Sequence, residues 1–186
     1  NPDVEVRVAE VIGDCDELAQ LVVDRYLAEL DAEGFGEGAP GFMSNLVLKD
    51  RDVLVVGGGA VAARRIPRLL DAGAKVRVVA PNLGIAVGRL AASGAIAVER
   101  RTARAEDVGE AWYVLAASND PNVNAMIAAE AERRHTFCCR ADDALGGTAT
   151  TPTTASAGGL TVAVIGDRNP RRSVRVRDEL LQVLQD

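Results

Sequence analysis

One stretch constrains this chain more than any other: Val53-Leu-Val-Val-Gly57-Gly58-Gly59-Ala60-Val61-Ala62. Val53 to Val56 are all apolar and mostly β-branched, and read as a short parallel strand buried on both faces. They run directly into Gly57-x-Gly59-x-x-Ala62, and the residues from Ala63 to Leu70 read as a helix with Gly73 as its C-terminal cap. A second strand is expected at Lys75 to Val79. Strand, glycine turn, helix and strand form the first half of a dinucleotide-binding βαβ unit. The glycines answer a need for close approach: Gly57 makes the tight turn, Gly59 lets the backbone approach a pyrophosphate, and Ala62 lets helix and strand pack closely. The helix N-terminus then offers free N–H groups and a positive dipole end to the phosphates.

The 186 residues suffice for one full domain and a smaller piece. A hydrophobic content of 48% with 26% charged residues is that of a soluble globular protein. No apolar run approaches the roughly 20 residues of a membrane helix. A net charge of −6 argues against nucleic acid as a partner. Cys15 is remote from the adjacent pair Cys138 and Cys139, so no disulfide framework is expected, and on a strand the pair faces opposite sides. His135, the single histidine, leaves no zinc ligand set, so no metal site is expected. Cytoplasmic localisation is the natural expectation. Asn1 is not an initiator residue, which suggests an earlier start that has been cut away.

In chain order, Val4, Val6 and Val8 alternate like a half-buried strand, and Asp14-x-x-Glu17 opens an amphipathic helix carrying Leu18, Leu21, Val22, Tyr26 and Leu30. Residues 1–31 are therefore expected to be the tail of a preceding domain, and the glycine-rich residues 32–43 a linker. Residues 44–147 alternate strand and helix: after the first βαβ come a small helix with Ile85, Val87 and Leu90, then a strand at Ile96 to Val98. Next come a short acidic connection, Glu106 to Glu110, a strand at Trp112 to Ala117, a helix from Asn122 to Arg134, and a fifth strand at Thr136 to Cys139. This pattern predicts an α/β fold, a Rossmann-like doubly wound parallel sheet. The pattern then changes. The run from Thr148 to Thr154 is β-prone but carries Pro152, which suggests an edge or crossing strand. Leu160 to Ile165 is a clear strand, and Asn169-Pro170 opens a last helix with Val176, Leu180, Val183 and Leu184 on one face. Two strands and a helix make no core of their own, so residues 148–186 are expected to be a small β/α dimerisation element of a homodimer. The competing reading is an antiparallel extension folded back on its own sheet.

Four stretches together resemble one family: Val55-Val-Gly-Gly-Gly-Ala-Val-Ala-Ala-Arg-Arg65, Ala116-Ala-Ser-Asn-Asp-Pro-Asn-Val-Asn124, Phe137-Cys-Cys-Arg-Ala-Asp142, and Val162-Ala-Val164 with its arginine-rich sequel. Their order and spacing are similar to those of the precorrin-2 dehydrogenase module of siroheme synthase, over roughly residues 44–186. The resemblance implies NAD as cofactor and oxidation of precorrin-2 to sirohydrochlorin, in a dimer formed through the region after the nucleotide-binding domain. In some members the same site also inserts ferrous iron. Residues 1–31 are similar to the end of a small sirohydrochlorin chelatase. Family cofactor contacts carry over to Ala60, Val61, Pro81 and Asn82, joining Gly57 and Gly59. Ala117 and Ser118, at the end of the fourth strand, are expected to line the cofactor as well. Two departures stand out: Ala80-Pro81 occupy the place of the usual ribose-binding carboxylate, and Ile165-Gly166 follow the Val-Ala-Val strand where bifunctional members have a serine.

Oxidising a reduced tetrapyrrole requires a hydride to leave toward the nicotinamide and a proton to leave to a base. Asp142 lies just past the fifth strand, at the edge where open α/β sheets bind ligands, and it aligns with the family's catalytic aspartate. Desolvation in a cleft beside the macrocycle is expected to raise its pKa. The plainer reading is a turn or N-cap aspartate, and Asp143 is the substitute candidate. Precorrin-2 carries many carboxylates, and Arg140, Arg171, Arg172, Arg175 and Arg177 are candidates to hold them, since guanidinium groups match carboxylates bidentately. A solvated helix face is their competing explanation. His135 reads as a surface residue at a helix end, and Cys138 and Cys139 as strand packing. Two other functions share parts of this pattern: a nucleotide-sensing regulatory domain, which needs no base at Asp142, and a chelatase without a redox role, which needs no glycine turn.

Overall fold

The computed structural model describes residues 41–166 and 169–184. Its central strand, β1 (Asp52–Val56), buries Val53, Leu54, Val55 and Val56 completely, as a strand covered on both faces must. It leads into α1 (Ala60–Asp71), β2 (Lys75–Val79), α2 (Ile85–Ala92), β3 (Ala97–Glu99), a single 3-10 turn (Ala105–Val108), β4 (Tyr113–Ala116), α3 (Pro121–Arg133) and β5 (Phe137–Arg140). The five strands lie in the order β3-β2-β1-β4-β5, every pair parallel. This is the expected doubly wound sheet.

The two faces have separate cores. On one, Ala62 and Ile66 of α1 and Val87 of α2 pack against Val53, Val55, Val76, Val78, Leu115 and Cys139. On the other, Ile127, Ala128 and Ala131 of α3 and Val108 pack against Leu54, Val56, Val79, Val114, Ala116 and Cys138. The adjacent cysteines thus face opposite sides of β5, both buried. Helix ends follow one device. The Gly73 N–H bonds to Leu70 O and the Ala74 N–H to Leu69 O, with Gly73 left-handed at φ +76°. Thr136 and His135 repeat it after α3, bonding to Ala131 O and Glu132 O with His135 at φ +56°, which makes His135 an exposed helix-terminal residue. Differences from the sequence expectation are local. Trp112 lies outside β4, 54% exposed, with the Arg51 guanidinium 3.9 Å above its ring. Ile85 of α2 is also exposed. The stretch around Thr148 is not a strand, although it runs beside β5: Ala149 N–H donates to Cys138 O and Cys138 N–H to Thr148 Oγ1.

The acidic connection has a structural use. Asp107 is only 8% exposed, and Arg101 grips both carboxylate oxygens, at 2.7 and 2.6 Å. Arg104 N–H caps the same carboxylate, Arg77 donates to the Asp107 carbonyl, and Glu99 joins Arg77 to Arg101. The Arg101 hydrogen bonds, more than burial, hold the Asp107 carboxyl below its ordinary pKa.

The chain divides into two compact units, and Met43–Thr151 is the one just described. In the other, β6 (Thr153–Ala157) and β7 (Leu160–Val164) form an antiparallel hairpin closed by Gly158 and Gly159, both at positive φ as a type I′ turn requires. Helix α4 (Pro170–Val183) packs against both strands. Asn169 caps it by accepting from Arg172 N–H, and Arg177 donates to Thr153 Oγ1 at 2.9 Å. No described residue of this unit is fully buried. The expected strand and helix of residues 1–31, and nearly all of the linker, lie outside the described residues. Among the described residues no helix is long and apolar enough to cross a membrane.

Replacing Asp107 by Asn is expected to cost about 1–3 kcal/mol, because two arginines lose their shared acceptor. A folded-state pKa held low adds stability above the unfolded pKa and loses it as pH falls through the folded value. The melting-temperature gap between wild type and Asp107→Asn should therefore close on acidification, which calorimetry at neutral pH and below about pH 4 would measure.

Candidate functional site

In a sheet of order 3-2-1-4-5, the sense in which successive strands are added reverses between β1 and β4, and the loops there part to leave a crevice at the C-terminal strand ends. The sequence-predicted residues of the larger unit converge on that edge. Gly57 and Gly59 follow β1, Ala60 and Val61 open α1, Pro81 and Asn82 follow β2, Ala117 and Ser118 follow β4, and Asp142 follows Arg140 at the end of β5. The strand ends are tied one to the next: Gly57 N–H bonds to Val79 O, Ala117 N–H to Val56 O and Ala141 N–H to Ala116 O.

Three glycines serve three ends. Gly57 has φ +109°, and a Cβ there would strike the Ala117 carbonyl, so it fixes the turn. Gly58 is as constrained, and the sequence reading gave it no role: a Cβ would lie 2.5 Å from the Asn82 carbonyl oxygen, while its own carbonyl accepts from Gly84 N–H at 2.8 Å. Among the described residues, nothing beyond its own chain neighbours and helix backbone comes within 4 Å of where a Gly59 Cβ would stand. It is the N-cap of α1, with no side chain satisfying the helix's first N–H groups and no acidic residue in its first turn. An open glycine facing uncapped helix N–H groups fits a pyrophosphate. At the end of β2, Ala80 is buried and Pro81 and Asn82 are exposed, so the usual ribose carboxylate is absent in space as in sequence.

At the other end of the crevice, Asp142 is held by Arg140 through Nε to Oδ1 at 3.2 Å and Nη2 to Oδ2 at 2.7 Å. Arg140 Nη1 also lies 3.6 Å from Asp143 Oδ2. Side-chain exposure is 11% for Arg140 and 25% for Asp142, leaving one carboxylate edge open. The expected rise in the Asp142 pKa is reversed. The Arg140 hydrogen bonds lower it, and desolvation, which pushes upward, is the smaller influence. Asp143 turns to cap its own loop, accepting from Leu145 N–H.

Ser118 spends its hydroxyl locally, donating to Asp120 O at 2.9 Å, while its peptide is bound by Asn124. Asn124 is the second residue that sequence reading left unassigned. Its signal was a short amide on the stripe that also carries Ile127, Ala128 and Ala131. Arg171, Arg172 and Arg175 lie on α4, in the other compact unit. A depression of about 490 Å³ at the N-terminal strand ends, lined by Asp52, Lys75, Gly94 and Glu110, collects none of the predicted residues.

Residues 45–153 match the family model described as "Putative NAD(P)-binding". A solved structure titled SirC, precorrin-2 dehydrogenase, superposes with a TM-score of 0.68 at 30% identity, covering 77% of this chain and 71% of that one. The chain belongs to this NAD(P)-binding, precorrin-2 dehydrogenase family. Among curated relatives, siroheme synthase 1 of Serratia proteamaculans is 42% identical over 52% of this chain and 20% of its own length. Precorrin-2 dehydrogenase of Priestia megaterium is 40% identical over 44% of this chain and 41% of its own. The matched region thus spans a fifth of the siroheme synthase and two fifths of the dehydrogenase. As in the family, the cofactor is NAD, and the glycine turn of this chain fits it.

The glycines predict a contrast. Gly58→Ala should lower the melting temperature, since a backbone carbonyl must move. Gly59→Ala should leave melting unchanged yet weaken NAD binding about tenfold or more, because the added methyl enters the space kept for phosphate. Differential scanning and titration calorimetry on the two variants separate these outcomes.

Proposed function

We propose that the chain oxidises precorrin-2 to sirohydrochlorin with NAD as acceptor. The observation that carries the reading is an arginine-paired carboxylate, Asp142, on the same strand-end edge as the open glycine turn, in a chain of the precorrin-2 dehydrogenase family. Gly57, Gly59, Ala60, Val61, Pro81, Asn82, Ala117 and Ser118 would hold the dinucleotide. NAD, when bound, accepts the hydride. Asp142 takes the accompanying proton on the carboxylate oxygens, so that the substrate loses one hydride and one proton.

Arg140 sets the state of that base. By pairing with Asp142 it keeps the carboxylate ionised and ready to accept, at the cost of basicity. A polycarboxylate arriving at the site competes for the same guanidinium. Drawing Arg140 away would restore basicity to Asp142 as the site is desolvated. Arg171, Arg172 and Arg175 are further candidates for the substrate's carboxylates. The division into a tail (1–31), linker (32–43), nucleotide domain (44–147) and dimerisation element (148–186) is part of the same reading. Its last part is supported by the absence of fully buried residues among the described residues of β6, β7 and α4, where half-buried Val176, Leu180 and Val183 suit a second copy. We place the protein in the cytoplasm.

Anaerobic turnover of precorrin-2 with NAD, followed by the absorbance of sirohydrochlorin, tests the assignment. Asp142→Asn should lose about 10²- to 10⁴-fold in kcat with NAD affinity unchanged. Full activity in that variant would move the base elsewhere. The wild-type acid limb of kcat/KM should lie below the ordinary carboxylate range, and Arg140→Gln should move it upward by removing the partner that holds the pKa low. Sedimentation at twice the monomer mass is the expected result for the dimer.

A further inference from the structure

Among the described polar side chains only Asp107 and Asn124 are buried, and Asn124 has no accessible surface at all. A buried amide is expensive unless its groups are bonded, so where its bonds go matters. Both bonds go to the main chain of one residue: Asn124 Oδ1 accepts from Ser118 N–H at 2.9 Å, and Nδ2 donates to Ser118 O at 3.0 Å. Ser118 in turn binds Asp120 through its hydroxyl, and Asp120 caps α3 by accepting from Asn122 N–H. One side chain therefore holds the turn after β4 from inside the fold, and the helix that carries it starts from that same turn.

We propose that Asn124 is a positioning residue, holding the Ser118 turn at the nucleotide-binding edge from inside the fold. The claim rests on the reading of that turn as a lining of the cofactor given above. A leucine would fill the stripe beside Ile127 equally well for packing, but could bond neither the N–H nor the carbonyl of Ser118.

Two variants test it, Asn124→Asp and Asn124→Ser, both checked for folding by near-ultraviolet circular dichroism. Asn124→Asp keeps the size and the acceptor for Ser118 N–H, but loses the donor to Ser118 O. Both variants should bind NAD about tenfold more weakly by titration calorimetry and turn over about a hundredfold more slowly. Wild-type NAD affinity and kcat in folded variants with a lowered melting temperature would overturn the proposal, reducing Asn124 to a packing role. Hydrogen exchange on the wild-type protein needs no variant: slow exchange of the Ser118 amide is expected, and exchange at the rate of an open loop overturns the clamp. Should the wild type bind NAD without oxidising precorrin-2, the dehydrogenase reading falls, and NAD affinity in the two variants still decides the hold on the turn.

Discussion

The fold turns on a contact between two peptide units. Where β1 ends, the left-handed Gly57 passes so close beneath the Ala117 carbonyl that no side chain fits between them. β1 and β4 are the innermost parallel pair, and their loops leave the sheet toward opposite faces, one to α1 and the other to α3. Because the strands meet so tightly, the first turns of the two helices open onto one crevice. Each later feature of the site uses this closeness. Gly59 is open because Gly57 has already turned the chain, and Ser118 can be gripped from α3 because Ala117 is pinned to Val56.

How much of this could be read in the sequence depended on the range of the interaction involved. β1 and β2 were legible because strands buried on both faces are unbroken runs of Val and Leu, and α1 because its end carries Gly73. Those signals are local. Asp142 was legible as a position, being the first carboxylate past a strand end, but its ionisation was not. That depends on the chain bending so that Arg140 and Asp142, two residues apart and nominally on one face of an extended strand, close into an ion pair. Gly58 looked dispensable between two glycines of a known pattern. Its obligation comes from the Asn82 carbonyl, supplied by a loop on another strand. Asn124 lies on the apolar stripe of its helix, which marks it as interior, but only the placement of β4 shows that its amide meets the main chain of Ser118.

The smaller unit follows a different logic. Its hairpin is dictated by Gly158-Gly159, whose φ values suit the twist of two strands, and its helix by the Asn169 cap and Pro170 at the first position. These are strong local instructions with little interior to reward them. Even Val162, Val164, Leu180 and Val183 are only half-buried. Local rules can specify a hairpin and a helix, but not what the remaining apolar surface meets.

The bond from Gly84 N–H to Gly58 O has a kinetic consequence. It staples the loop that follows β2, with Pro81 and Asn82, to the loop that follows β1. The part of the crevice suited to a pyrophosphate and the part suited to a ribose therefore move as one body. A ligand arriving there meets two loops already joined to each other, so less conformational entropy is spent on ordering them. Differences in affinity among nucleotides should then reside mostly in how fast they leave.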